Sequence, residues 1–148
     1  MRNILSGDEL YDIWVLLRRT DLLVLKVRDR ELSKIGLSPV RVALLNVVHA
    51  LKGKATPAEI ARQLLRESHS ISPLVTKMTR EGILEKTVDS ERKNMVRISL
   101  TKKGRTIRKQ SNNTRENIYN IMSVLSEEER RQMKVYLQRI QDCAAKTL

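Results

Sequence analysis

The order of residue patterns between Thr56 and Leu100 restricts the fold of this chain more than any other feature of the sequence. Two apolar stripes with three- and four-residue spacing come first, and the second ends at Gly82. Two β-prone runs, 83–88 and 95–100, follow on either side of a polar tip. Because spacing of three and four indicates helices and alternation indicates strands, this order predicts two helices followed by a β-hairpin.

Capping signals set the expected ends of these two helices. Thr56 and Glu59 have the spacing of a capping box, in which each side chain accepts a hydrogen bond from an otherwise unpaired backbone amide. The second helix is predicted to begin near Ser70, because a cap at Ser68 would place Pro73 too deep in the helix for its missing N–H to be harmless.

Longer helical patterns flank this segment. Residues 8–35 read as an amphipathic helix, and Ser38 followed by Pro39 is typical of the start of another. The residues from 101 to 125 predict one long helix, and Ser126 begins a capping box for a last helix. The expected fold is therefore mainly α with a small β-hairpin wing (α+β): a winged helix-turn-helix between long terminal helices.

The charge of the chain points to a polyanionic partner. The 148 residues contain 29 lysines and arginines against 17 aspartates and glutamates, a net charge of +12. Residues 77–109 alone contain 11 basic and 4 acidic groups, a net charge of +7. Because this excess coincides with the predicted second helix and hairpin, double-stranded DNA is the expected partner.

Several other classes of protein do not fit the sequence. The apolar run 22–25 is interrupted by Lys26, no run approaches the length of a membrane span, and the N-terminus lacks the apolar region of a secretory signal, so we expect a cytoplasmic protein with no membrane partner. One cysteine and two histidines, far apart, form no catalytic or metal-binding spacing. We therefore predict no enzyme activity, no metal and no cofactor.

The predicted winged helix-turn-helix defines candidate DNA contacts, because its second helix enters the major groove. With the apolar stripe of that helix in the core, the outer face presents His69, Ser70, Ser72, Pro73, Thr76, Lys77 and Arg80. The hairpin supplies Arg92, Lys93, Asn94 and Arg97 for the minor groove or its phosphates, with Asp89 or Glu91 placed to orient a guanidinium. A solvent-facing helix and a solubilising charged turn are the alternatives.

The chain resembles the multiple-antibiotic-resistance regulator (MarR) family of winged-helix repressors and activators. The most specific segments are ATPAEIARQLL (55–65), SISPLVTKMTREGILEK (70–86) and VRISLTKKGR (96–105). The resemblance implies an obligate homodimer on a pseudopalindromic operator, often released by a small ligand or by oxidation. It also implies that the recognition helix is 70–81 and that Arg92, or else Lys93, enters the minor groove.

The resemblance further implies a division of the chain. Residues 1–35 with 105–148 would form a helical dimerisation subdomain, and residues 36–104 the winged DNA-binding domain. A crevice for a small aromatic or anionic effector could include Trp14, Leu17 and His49, although a core histidine and plain core packing are the simpler interpretations. A buried or interfacial structural role is expected for Cys143.

Two other functions remain open at this point. A chain with this charge could coat DNA without sequence preference. A winged helix could also bind RNA or protein, but all four aromatic residues lie outside the predicted winged region, which disfavours stacking on single-stranded bases. A sequence-specific transcriptional regulator, expected to be a repressor, is the leading prediction.

Overall fold

The computed structural model describes residues 5–148, which divide into two compact units, the first ending at Arg115 and the second spanning Glu116–Leu148. The elements follow in the order α1 Glu9–Ser33, α2 Pro39–Ala50, α3 Pro57–Gln63, α4 Ser68–Arg80, β1 Leu84–Val88, β2 Val96–Leu100, α5 Lys102–Asn113, α6 Glu116–Met122 and α7 Glu127–Ala145. The predicted fold class, mainly helical with a β-hairpin wing, is confirmed. No helix in the described part of the chain is long and apolar enough to cross a membrane.

The main hydrophobic core of the first unit lies where α2, α3 and α4 meet the hairpin. Its buried side chains are Leu44, Leu45, Val48, Ala55, Ile60, Ala61, Ile71, Val75, Met78, Ile83, Leu84, Ile98 and Leu100. Full burial of one such aliphatic side chain stabilises a fold by about 1.5–3 kcal/mol, so this core fixes the orientation of α4 against the hairpin. A smaller cluster of Leu32, Leu37 and Val42 joins the end of α1 to α2.

The hairpin is antiparallel, as predicted from its two β-prone runs. Its register pairs Leu84 with Leu100 at the base of the hairpin and Val88 with Val96 near the tip. Ala55 adds an isolated bridge on the other side of β2, where its carbonyl accepts a hydrogen bond from Ile98 N at 2.8 Å. The hairpin is therefore hydrogen-bonded to Ala55, which directly precedes the N-cap of α3.

The start of α3 confirms half of the predicted capping box. The Thr56 hydroxyl accepts a hydrogen bond from Glu59 N at 3.2 Å. The reciprocal bond was wrongly predicted, because the Glu59 carboxylate instead accepts hydrogen bonds from Arg62 and Gln63 in the next turn. The bonds from Arg62, and then from Gln63, hold the pKa of Glu59 below its ordinary value.

The start of α4 differs from the sequence prediction. The helix begins at Ser68 with Glu67 as its N-cap, so the predicted start near Ser70 is wrong by two residues and Pro73 lies inside the helix. Ser70 Oγ donates to Glu67 O at 2.8 Å, and Ser72 Oγ to Ser68 O at 3.1 Å. Pro73 has no N–H to donate to the carbonyl of His69, and neither of these serine bonds replaces that contact; the ring itself is exposed.

The end of α4 follows the prediction at Gly82. This glycine has φ +72°, and Ile83 N donates to Met78 O at 2.9 Å, which closes the helix and turns the chain into β1. Because the left-handed backbone is accessible to glycine without strain, the residue suits this turn.

The predicted single helix over 101–125 is wrong, because α5 ends at Asn113 and α6 begins at Glu116. Two consecutive asparagines, which are weak helix formers, precede the break. Arg28 binds the freed carbonyls: its Nη2 donates to Ser111 O at 3.1 Å, and its Nη1 donates to Thr114 O. Arg28 also pairs with Glu31 at 2.7 Å, and both side chains are largely buried.

The second unit consists of α6 and α7. Its capping box is confirmed in both directions, with Glu129 N donating to Ser126 Oγ at 3.2 Å and Ser126 N donating to Glu129 Oε2 at 2.7 Å. The Ser126 amide lowers the pKa of Glu129. Neither helix has a buried residue in the single chain, and Val135, Tyr136 and Ile140 are exposed.

Helix α1 also presents apolar side chains to solvent in the single chain. The exposed ones are Leu10, Tyr11, Ile13, Trp14, Leu16, Leu17, Leu22, Leu23 and Leu25. The interpretation of Trp14 and Leu17 as plain core residues is therefore wrong for this chain by itself. Cys143 is likewise exposed rather than buried in the chain.

Candidate nucleic-acid interface

The outer face of α4 is concave and polar. Because Ile71, Val75 and Met78 are committed to the core, the opposite side of the helix must face solvent. This side carries one depression of about 610 Å³, which is lined by His69, Ser72, Pro73, Thr76, Lys77 and Arg80. Six of the seven residues predicted for the recognition face thus share one surface.

Ser70, the seventh predicted residue, is also exposed, but its hydroxyl is hydrogen-bonded to the carbonyl of Glu67. Its position in the first turn of α4 keeps it beside His69. A hydroxyl that donates to the backbone can still accept a hydrogen bond, so Ser70 offers an acceptor at this edge of the face.

The C-terminal end of α4 is anchored by contacts that the sequence did not indicate. Arg41 of α2 pairs with the side chain of Glu81, the C-cap of α4, and Lys103 Nζ donates to Glu81 O at 2.9 Å. The positive charges lie at the end of the helix where its dipole is negative. Arg41 is 40 residues from Glu81, and a lone arginine in an apolar helix carries no sequence signal for this pairing.

Lys86 of β1 is another residue that sequence reasoning missed. Its Nζ lies 3.5 Å from Thr76 Oγ1, so the hairpin places an additional cation beside the recognition face. Lys86 is exposed although it has the same parity in β1 as the buried Leu84, so alternation along the strand gave no signal for this contact.

The tip of the wing is organised by one carboxylate. Asp89 Oδ1 accepts hydrogen bonds from Glu91 N and Arg92 N, each at 2.9 Å, and Asp89 Oδ2 accepts one from Arg97 Nε at 2.9 Å. The Arg92 amide, followed by the Arg97 guanidinium, lowers the pKa of Asp89. The turn is therefore closed on itself, and the side chains of Arg92, Lys93 and Asn94 remain exposed.

Arg97 occupies a different position from the other three predicted wing residues. Its Nη1 donates to Lys54 O at 3.0 Å, so its guanidinium joins the wing to the turn before α3 while also pairing with Asp89. Its side chain is 27% exposed. Of the two acids suggested to orient a guanidinium, Asp89 does so for Arg97.

Both of these surfaces carry cations outside any ion pair. Lys77 and Arg80 of α4, and Arg92 and Lys93 of the wing, take no part in any ion pair found among residues 5–148. These four exposed cations create a positive potential that can attract phosphates and release their counterions.

The structure does not group His49 with the other two candidate effector residues in the single chain. Trp14 stacks at a tilt on Tyr11, with ring centroids 5.3 Å apart, and both are exposed on α1 together with Leu17. His49 is exposed near the end of α2 and lines a small pocket that does not include Trp14 or Leu17. The interpretation of His49 as a core histidine is therefore wrong.

A larger cleft, which the sequence did not reveal, lies between the second half of α1 and the start of α2. Its volume is about 600 Å³, and it is lined by Leu25, Lys26, Asp29, Ser38, Pro39, Val40, Ala43, Leu64 and Arg66. Although Ser38 is the N-cap of α2, its side chain makes no capping bond, which leaves the hydroxyl available at the cleft. Its walls are mostly apolar, and its charged groups are two cations, Lys26 and Arg66, and one carboxylate, Asp29, which is the lining expected for a small, mainly apolar ligand.

Comparisons with known proteins agree with this geometry. The winged helix DNA-binding domain family matches residues 37–104. No curated protein sequence matches the chain significantly. Among solved structures, the organohalide-sensing transcriptional regulator RdhR, in its ligand-free form, is 28% identical, with a TM-score of 0.80 over 96% of this chain and 85% of that chain. RdhR has also been solved with 2,4-dichlorophenol bound.

Two further structures share the fold. The MepR–DNA complex from S. aureus is 23% identical, with a TM-score of 0.78 over 88% of this chain and 96% of that chain. A MarR-family transcriptional regulator from Rhodococcus sp. RHA1 is 22% identical, with a TM-score of 0.80 over 91% of this chain and 96% of that chain. Residues 37–104 therefore form a winged helix DNA-binding domain, and the resemblance seen in the sequence is confirmed as a strong structural similarity of the chain to MarR-family transcriptional regulators.

Proposed function

We propose that the chain is a sequence-specific regulator that binds double-stranded DNA as a homodimer on a pseudopalindromic operator and represses transcription. One observation carries this proposal: the concave face of α4 and the closed wing present unpaired cations side by side on a rigid core. The helix would enter a major groove, and Arg92 or Lys93 would reach the adjoining minor groove. MepR, which shares the fold, has been solved with DNA.

The homodimer is supported by the apolar side chains that the single chain leaves exposed. Those of α1 and those of α7 are too numerous for ordinary surface helices, and large exposed apolar surfaces mark interfaces between proteins. We propose that residues 1–35 and 105–148 form the dimerisation subdomain and that residues 36–104 form the DNA-binding domain. The exposed Cys143 would then lie in or near an interface.

We propose a small apolar anion, such as a phenolate or an aromatic acid, as the effector. The cleft beside α2 supports this class better than the Trp14, Leu17 and His49 set, because it combines apolar walls with the Ser38 hydroxyl and with two cations, Lys26 and Arg66, against the single carboxylate of Asp29. RdhR, with the same fold, binds 2,4-dichlorophenol. Trp14 and Leu17 would contribute to a crevice only within the dimer.

The alternative function is sequence-neutral coating of DNA. It is favoured by the net charge of +12, which by itself gives non-specific affinity for duplexes. The concave polar face of α4 favours sequence-specific reading, because hydroxyl, imidazole and cationic groups of different length stand at one surface. The cytoplasmic location expected from the sequence stays a prediction.

Selection of bound duplexes from a random pool at moderate salt tests the proposal directly. We expect a palindromic consensus whose half-sites are about 10 base pairs apart centre to centre, and footprinting should protect both halves. Sedimentation of the free protein should give a dimer. Enrichment of no sequence over bulk competitor would favour the coating alternative, and a monomer at micromolar concentration would contradict the proposed assembly.

A further inference from the structure

We infer that the small pocket at the end of α2 is a binding site for a phosphate-type oxyanion, separate from the recognition face and from the wing. The pocket has a volume of about 180 Å³, which suits a single tetrahedral oxyanion rather than an aromatic effector. It is lined by Val48, His49, Lys52, Gly53, Ser99, Leu100 and Arg105.

Three of the lining side chains can carry positive charge, and they come from three different parts of the chain. His49 belongs to α2, Lys52 to the turn that follows it, and Arg105 to the first turns of α5. None of them takes part in an ion pair found among residues 5–148. Cations brought together from distant positions repel one another unless an anion lies between them.

The available donors fit an oxyanion. Arg105 Nη1 donates to Leu100 O at 2.8 Å, which holds the guanidinium in place while its remaining N–H groups stay available. Ser99 Oγ already donates to Glu85 Oε1 at 3.1 Å, so the donors left for an oxyanion are those of Arg105, Lys52 and His49. Arginine and lysine donors combined with an imidazole are the groups that proteins use to hold phosphate.

The backbone at Lys52 is a second, independent observation. Lys52 follows the C-cap of α2 and has φ +47°, a left-handed conformation that glycine or asparagine would adopt with less strain. Its neighbour Gly53 has φ +82°, so the turn needs two such conformations in succession. Lys52 is exposed and makes no ion pair among the described residues, so its own contacts do not offset this strain. Binding of a ligand by its ammonium group would explain why a lysine occupies the position.

The oxyanion could come from the DNA backbone or from a free phosphate. For the first source the inference rests on the proposed function, because the site would add a backbone contact outside the two grooves. For the second source it does not, since the site would then bind a free anion with no DNA present. The chemistry required of the pocket is the same in both cases.

The first test is a titration of the full chain with inorganic phosphate, without DNA, monitored by NMR at constant ionic strength. We expect saturable amide shifts centred on Gly53, Ser99 and Arg105. Lys52→Gln and Arg105→Gln should each weaken binding about tenfold, because each removes a charge-assisted contact. The exposed Lys109→Gln on α5 is the matched control and should leave the affinity unchanged.

A second variant separates binding from structure. Lys52→Gly should raise the thermal midpoint of unfolding by relieving the backbone strain, and yet should lose phosphate binding as Lys52→Gln does. If the shifts do not saturate, or if they persist equally in both glutamine variants, the site does not exist. This result would leave the proposed DNA-binding function untouched.

DNA titrations then identify the source of the oxyanion. If the backbone occupies the pocket, Lys52→Gln should lower the slope of log affinity against log salt by about one, and phosphate should compete with the duplex. If the slope is unchanged while free phosphate still binds in a Lys52-dependent way, the site takes a free anion. Both results support the site and assign its ligand.

Discussion

Asp89 and Arg97 form an ion pair near the tip of the wing, with Asp89 Oδ2 accepting a hydrogen bond from Arg97 Nε at 2.9 Å. The same carboxylate binds two amides of the tip, and the same guanidinium binds the carbonyl of Lys54. Two side chains therefore connect the tip of the wing to the turn before α3. The geometry of the exposed residues Arg92, Lys93 and Asn94 depends on this pair.

Asp89→Ala should loosen the wing without unfolding the core. We expect severalfold faster exchange of the Arg92 amide, measured by NMR at neutral pH, because the substitution removes its acceptor. The pKa of Asp89 is lowered in the folded state, so its contribution is present above the ordinary aspartate pKa and is lost as pH falls through the lowered value. The difference from the wild type should therefore vanish in acid.

Glu91→Ala is the matched control for that experiment, since it removes an exposed carboxylate from the same turn. It should leave exchange of the Arg92 amide nearly unchanged. An equal effect of both substitutions would show that local charge, rather than the bonds made by Asp89, holds the turn.

Arg92→Ala should weaken operator binding by roughly 1–3 kcal/mol if this side chain enters a groove, as measured by fluorescence anisotropy. Lys93→Ala tests the second candidate under the same conditions. Arg131→Ala, which removes an exposed arginine paired with two glutamates on α7, is the control and should have little effect. Unchanged affinity in both wing variants would mean that the tip points away from DNA.

Lys77→Ala distinguishes two roles on the recognition face. If Lys77 reads a base, the selected consensus should relax at one position; if it binds a phosphate, the salt slope should fall by about one. Lys134→Ala on α7 serves as a charge-matched control. The absence of both effects would place the recognition face elsewhere on the molecule.

Gly104→Ala should destabilise the first unit by about 1–3 kcal/mol, measured by urea unfolding, because the helix gains a side chain where the core has no room. A Cβ at Gly104 would lie 2.2 Å from Ile83 O, a backbone atom that cannot move aside without shifting the hairpin. Thr106→Ala, an exposed position on the same helix, should be nearly neutral. Wild-type stability of Gly104→Ala would contradict the close contact between α5 and Ile83.

Leu65→Gly should stabilise the chain by about 1 kcal/mol, because Leu65 has φ +51° at the C-terminal turn of α3. Its side chain is 90% exposed, so little packing is lost. Leu65→Asn should act in the same direction with a smaller change in chain entropy. A lower melting temperature for both variants would show that the leucine is covered in the assembled protein.

Local patterns were sufficient to predict most of the fold. The apolar stripes identified the buried face of α4, and hence the residues on its outer face, because helical periodicity fixes which side chains point the same way. Ser126 and Glu129 formed the predicted capping box because both partners lie within one helical turn. The hairpin followed from alternation and its polar tip.

The errors arose where distant or competing partners decide the structure. Arg62 took the Glu59 carboxylate that the capping box required, a competition that spacing alone does not resolve. Helix α4 begins two residues before the position that Pro73 suggested, because the helix keeps its conformation with the exposed proline inside it. The pairing of Arg41 with Glu81 and the cleft beside α2 depend on tertiary packing, which one sequence does not display.

The contacts of Arg28 with the carbonyls of Ser111 and Thr114 span 83 and 86 residues of the chain. Contacts of such separation close a long loop and form only after the intervening chain has become compact. The last turn of α5 is therefore completed late in folding, when α1 docks. In an incompletely folded chain, these two carbonyls would stay hydrated until the winged domain, which lies between Arg28 and Ser111 in the sequence, had assembled.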